Sequence, residues 1–342
     1  MRELTDQQRL FLIESEQILT AWREAYRQKQ AHQYGMKWVR AADREYLVRL
    51  RDAKGNGKSL GPRSPETERI HAAFTASKQR ADERFSALSA ALKQQARLNK
   101  AVRLGRLPAI IGRILHTLDL AQAEHHFTVI GTHALYVYEV MAAVQCSMDL
   151  LASGDVDLLY DPRKPLALTA EKLDGMGLLG LLRKVDPSFE VVTVHPFRAV
   201  NQERFMVDLV IPPEGMRVNR TVCFAEDDLV AAEVPSLQWL LNSPRVEATV
   251  IATDGRPVLM RSPDPRAFAI HKAWLSSEPS REPVKKGRDL SQARLVLRLL
   301  LEHLPQYPID EWRLRSFPKN MVRGALQTLS MVEKKSGAGI QG

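Results

Sequence analysis

FTVIGTHALYVYEVMAAVQCSMDLLASGDVDLLYD spans Phe127 to Asp161, and the rest of the chain is arranged around it. A short apolar run, Phe127 to Ile130, stops at Gly131 and Thr132, and a helix-like segment from His133 to Val144 follows. This is the pattern of a strand, a tight turn and a helix. Asp155 and Asp157 come next, with Val156 between them and Leu158, Leu159 and Tyr160 behind. Side chains alternate along a strand, so residues two apart share a face. Both carboxylates therefore point one way, while Val156 and Leu158 point into a core. Two like charges on one face repel unless a cation sits between them.

A third acid lies further on. Asp208 sits among Phe205, Val207, Leu209 and Val210, a nearly continuous apolar run of the kind found in buried strands. An isolated carboxylate in such a place is costly, which calls for a partner cation.

Gly131-Thr132, Asp155-Val156-Asp157 and Asp208 together resemble the signature of the nucleotidyltransferase superfamily of the DNA polymerase β type. That signature is Gly-Ser, then Asp-x-Asp, then a third Asp on a later strand. Thr132 stands where the family usually carries Ser, and it keeps the hydroxyl. Lys272, a basic loop and Arg288-Asp289-Leu290 look like the C-terminal pattern of bacterial nucleotidyltransferases related to the abortive-infection toxins. In that group a helix lysine and a later Lys-Asp or Arg-Asp pair face the nucleotide.

The resemblance implies transfer of a nucleoside monophosphate from a nucleoside triphosphate such as ATP to a hydroxyl acceptor, with release of pyrophosphate. The acceptor would be an RNA (tRNA-like), a protein or a small molecule. Asp155, Asp157 and Asp208 would be the catalytic residues and would hold Mg2+ or Mn2+. Gly131, Thr132, Lys272 and Asp289 would bind the nucleotide. His133, at the expected start of the helix, would lie near the phosphates. The alternative is a catalytically inactive protein of the same fold that serves as a nucleic-acid-binding module. Three retained carboxylates favour the enzyme.

Composition bounds these readings. A chain of 342 residues with 44% hydrophobic residues can bury a substantial core in two or three modules. The two cysteines, Cys146 and Cys223, show no CxxC or Cys/His spacing and read as reduced residues of a cytoplasmic protein. No apolar run is long enough to span a membrane, and MRELTDQQRL lacks the basic and apolar character of a leader. Residues 1–108 carry 22 Lys and Arg against 12 Asp and Glu, whereas the remainder carries 27 against 28. All of the basic excess thus precedes the candidate catalytic region. It suits either a polyanionic partner, RNA or another nucleic acid, or a solvated surface.

The expected fold class is α+β, a small mixed sheet flanked by helices. Residues 1–108 should form a mainly helical region containing a β-hairpin around Lys54-Gly55-Asn56-Gly57-Lys58. Leu4 to Lys29 reads as one amphipathic helix, and Ser64-Pro65-Glu66 as the start of a second, which runs without Gly or Pro to Gly105. Residues 109–262 should form the catalytic core. Its helices are expected at Leu107 to Leu120 and Lys172 to Lys184, its strands at Phe189 to Val194 and Arg204 to Ile211, and a closing hairpin at Ala248 to Met260. Residues 263–330 should be helical and complete the nucleotide site, with helices from Asp264 and over Ala293 to Leu304. Residues 331–342 read as a disordered tail.

Overall fold

Phe127–Ile130 is buried throughout and pairs antiparallel with Asp155–Tyr160. Asp155–Tyr160 in turn runs parallel to Met206–Ile211. These strands belong to the computed structural model of the protein, which describes all residues except Ala42, Lys164 and Pro165, Asp174, Glu214–Thr221, Glu311 and Ala338–Gly342. Met206–Ile211 also pairs antiparallel with His195–Val200 and parallel with Ala232–Glu233, and Glu190–Val192 closes the edge. The result is a six-stranded mixed sheet, and the protein is α+β.

The predicted alternation holds in the strand that matters most. Val156 and Leu158 are fully buried, whereas Asp155 and Asp157 are only partly so. Burying an aliphatic side chain of this size contributes about 1.5–3 kcal/mol, so the apolar face fixes the register and the carboxylates follow.

Several expected elements are redrawn. The strand expected over Phe189 to Val194 is a hairpin: the chain reverses after Val192, leaving Val194 79% exposed. The helix expected over Lys172 to Lys184 divides into Leu166–Lys172 and Gly177–Val185, because Gly175 and Gly177 both adopt positive φ. Asp228 accepts from the Leu178 and Leu179 amides at 2.8 and 2.7 Å, satisfying the start of the second piece. After Gly131 a 3-10 turn, Gly131–Ala134, leads into a helix that ends at Met141. The closing hairpin forms as Arg245–Ile251 and Pro257–Pro263.

In the C-terminal region Pro265–Ser277 packs against Pro283–Glu302 and Lys319–Gly337. The second of these begins well before Ala293, so Arg288-Asp289-Leu290 lies inside the helix. The last helix extends into the stretch expected to be disordered, since no Gly or Pro interrupts it between Ala325 and Ser336. Residues 338–342 of that stretch lie outside the described residues.

Two capped helices, Asp6–Ala31 and Pro65–Ala101, pack together in the N-terminal region. Thr5 with Gln8 and Ser64 with Thr67 form capping boxes. The expected hairpin, Arg44–Leu50 with Gly57–Pro62, gains a third strand, Met36–Ala41. Trp38 and Arg49 turn inward onto the second helix, where Trp38 meets His71 and Arg49 covers Phe74.

This region also grips the rest of the protein. Arg2–Glu3 pairs with Val144–Gln145, Asn99 donates to the Gly255 carbonyl, and Arg23 holds Asp119 and Glu124. Leu120 and Leu259 pack on the cluster of Leu19, Trp22 and Leu92. Among the described residues no helix is long and apolar enough to cross a membrane.

Candidate active site: three carboxylates beside a glycine turn

Asp157 and Asp208 are register partners in the parallel pair, and Asp155 sits two residues earlier on the same face as Asp157. One carboxylate oxygen from each of the three lies within 4.8 Å of the others. Asp208 is buried. The cluster shows the electrostatic cost of this arrangement. Burial, reinforced by Asp155 and Asp208, pushes the Asp157 carboxyl up to about 7, with Lys272 and Arg198 opposing. Three oxygen donors that converge and repel suit a hard divalent cation such as Mg2+ or Mn2+.

The glycine turn abuts this cluster. Ile130 pairs with Asp157, and Gly131 follows at φ +66°, a left-handed conformation that favours glycine. A Cβ at 131 would lie only 2.4 Å from Asp157 Oδ2. Thr132 Oγ1 accepts from Gln292 Nε2 at 3.1 Å, and the same amide donates to the Leu150 carbonyl at 2.9 Å. The hydroxyl proton of Thr132 is thereby left to donate elsewhere. His133 is buried, and that burial lowers its imidazole to about 4 against the opposing charge of Asp155.

Lys272 and Asp289 meet directly, at 2.6 Å, across the Pro265–Ser277 and Pro283–Glu302 helices. Both are buried, and Arg281 reaches the other Asp289 oxygen at 2.8 Å. Asp289 is thus the counter-ion of Lys272. Lys272 nevertheless acts on the acidic cluster through space, since its charge opposes the rise of the Asp157 carboxyl.

The structure adds Arg198, which the sequence reading did not single out, and gives Ser153 and Arg288 partners beside the cluster. Arg198 Nε and Nη2 each donate to an Asp208 oxygen at 2.7 Å. Ser153 Oγ donates to Asp155 Oδ1 at 2.5 Å, and Arg288 donates to the Ala152 carbonyl. Arg198 carried a recoverable signal. Val200 and Met206 flank the turn of an antiparallel hairpin, and following its register outward brings Arg198 opposite Asp208.

The cleft of about 550 Å³ lined by Tyr26, Gln122, Lys172 and Lys184 lies elsewhere, and none of the three aspartates lines it. The chemistry is therefore assigned from the converging carboxylates, not from the size of a depression.

A mixed sheet that presents Asp-x-Asp, a third Asp on the parallel neighbour and a glycine turn against them is the arrangement that the resemblance to nucleotidyltransferases implies. Residues 110–315 match the model of a family described as Nucleotidyltransferase, and the chain belongs to that family. No curated protein and no solved structure matches it.

Proposed function

We propose that the protein transfers a nucleoside monophosphate from a nucleoside triphosphate to a hydroxyl acceptor, with Asp155, Asp157 and Asp208 as catalytic residues that hold Mg2+ or Mn2+. The observation that carries this reading is the convergence of the three carboxylates beside Gly131. A bound divalent cation supplies charge neutralisation at the triphosphate and lowers the pKa of the acceptor hydroxyl. Gly131 lets the backbone approach the phosphates, and Thr132 offers them its hydroxyl. Lys272 contributes positive potential from behind the cluster, with Asp289 holding it in place. Asp208 takes the acceptor proton. The acceptor oxygen bonds to the α-phosphorus as the bond to pyrophosphate breaks, so the atoms balance without a further reactant.

RNA is the acceptor class we favour, and residues 1–108 would hold it. Exposed Lys37, Arg51, Lys54 and Lys58 surround the tip of the N-terminal hairpin, in the region that carries the basic excess. Phosphate contacts of this kind supply most non-specific affinity for nucleic acid. The same patch supports the second reading, a protein that holds nucleic acid without turnover.

One experiment separates the two. The purified protein is incubated with each labelled triphosphate, Mg2+ and either total RNA or cell lysate. Label entering RNA, together with pyrophosphate release that is lost in Asp157→Asn, is the expected result. RNA binding with no label transfer from any triphosphate would leave the binding module.

A further inference from the structure

We propose that Arg198 is a built-in counter-ion of the acidic cluster, a positioning residue that fixes Asp208 in the metal-free protein and keeps the bare protein's affinity for divalent cations low. The inference rests on reading the three carboxylates as a metal site. It concerns what stands there before a metal arrives.

The pairing is imposed by the sheet. Arg198 and Asp208 are register partners on antiparallel strands, so the hairpin that places the carboxylate also places the guanidinium. Contact is bidentate, at 2.7 Å for both bonds, and the Asp208 side chain is only 7% exposed. A planar fork of this kind is the strongest arrangement available to a carboxylate. It takes one lone pair from each oxygen and leaves the others for a metal. Asp208 thus remains a possible ligand, but a weakened one.

Charge points the same way. Three carboxylates within 4.8 Å of one another need compensation when no cation is bound. Among the described residues Lys272 and Arg288 also bring positive charge near the cluster, but Lys272 is committed to Asp289, which also takes Arg281, and Arg288 donates to the Ala152 carbonyl. The charge on Arg198 is stabilised first by Asp208 and also by Asp155 and Asp157. A divalent cation entering the bare site therefore meets carboxylates already partly neutralised and a guanidinium that repels it. A triphosphate brings enough negative charge to outweigh that repulsion. Metal and nucleotide should consequently bind as a coupled pair, each raising the affinity for the other.

The test uses the full chain with Arg198→Met and Arg198→Gln, which remove the charge, and Arg198→Lys, which keeps it. Mn2+ binding without nucleotide is measured by calorimetry, and thermal unfolding is followed in chelator and in Mn2+. Both neutral variants should bind Mn2+ at least about tenfold more tightly than the wild type, or about 1.4 kcal/mol. They should also melt lower in chelator and recover more stability when Mn2+ is added. Arg198→Lys should bind Mn2+ much as the wild type does. Neutral variants that fold and bind Mn2+ no more tightly overturn the proposal. Should the Met variant fold only with Mn2+, that supports it, and the Gln variant gives the affinity. Equal Mn2+ affinity in the wild type and Asp157→Asn is a different failure, because it removes the metal-site reading itself.

Discussion

Gly131 and Asp157 face each other so closely that a single methyl group at position 131 would lie only 2.4 Å from Asp157 Oδ2. The obstacle is the end of a side chain rather than backbone, so the fold can yield by moving the carboxylate. Gly131→Ala should therefore damage chemistry more than stability. The positive φ alone costs about 1–2 kcal/mol, readable in urea unfolding. Under the proposed mechanism, displacing the Asp157 carboxylate should lower pyrophosphate release by about a hundredfold. Gly105 offers the contrast, because its Cβ would strike the Ala252 backbone carbonyl. Gly105→Ala should destabilise the fold itself.

Asp157→Asn and Asp208→Asn should each reduce nucleotidyl transfer by about a hundredfold or more, through loss of electrostatic stabilisation. Their effects on the metal-free fold should differ. The Asp157 carboxyl is raised from 3.8 to about 7, so the folded state binds the proton more tightly than the unfolded chain does. The stability this proton contributes is full below about pH 4 and is lost as pH rises through 7. Asp157→Asn should then be more stable than the wild type at pH 8, with the gap opening by at most about 1.4 kcal/mol per pH unit. Asp208→Asn breaks the bidentate contact with Arg198 and should be less stable. Melting both variants in chelator across this pH range checks the contrast.

At the Lys272–Asp289 pair the two partners should not be equivalent. Asp289→Asn leaves the ammonium of Lys272 buried without a charged partner, which costs about 3–5 kcal/mol. Lys272→Met leaves Asp289 still bonded to Arg281 and should cost less. Urea midpoints give the order. If Lys272 also feels the departing phosphates, Lys272→Met should raise KM for the triphosphate or lower kcat well beyond its effect on folding.

Desolvated histidines should make the protein acid-sensitive. Burial lowers His116, aided by Arg256, to about 4, and lowers His271, aided by Lys272, to about 3. Their folded values lie below the unfolded 6.5, so stability is full above about pH 6.5 and falls as pH drops toward 4. Asp157 acts with the opposite sign over part of that window, so the measurement is cleanest in Asp157→Asn. His116→Phe keeps an aromatic ring against Trp22, and it should flatten the decline between pH 7 and pH 5 by about one proton's worth.

Nucleic-acid binding should be tested by charge, not by truncation. Removing residues 1–108 would strip Leu19, Trp22 and Leu92 from Leu120 and Leu259 and break the Arg23 contacts to Asp119 and Glu124. The truncated chain should melt far below the intact one or aggregate. Lys54→Glu with Lys58→Glu lies on an exposed hairpin tip and should leave folding intact. It should weaken RNA binding and flatten its salt dependence, as read by fluorescence anisotropy from about 50 to 200 mM salt. An unchanged salt slope would place the RNA contacts elsewhere.

Much of the acidic face was legible in the residues themselves. Period-two alternation through Asp155, Val156, Asp157 and Leu158 puts the acids on one side and the aliphatics on the other, whatever packs around them. Gly131 marked the turn, the apolar run around Asp208 marked a buried strand, and Ser64-Pro65 marked a helix start that the structure keeps. These are local signals, because a strand period or a helix cap is written in neighbouring positions.

Where charge from distant segments meets was a different matter. That Asp208 is held by Arg198 depends on the register of a hairpin whose first strand, His195–Val200, was not among the expected strands. That Lys272 faces Asp289 depends on how two helices dock. That the basic N-terminal helices clasp the core depends on Asn99 finding Gly255 and Arg23 finding Asp119 across long stretches of chain. The sequence by itself determined which residues form the acidic face. Only the tertiary structure decided what neutralises it, because Coulomb interactions depend on distance in space and on burial, and neither is set by distance along the chain.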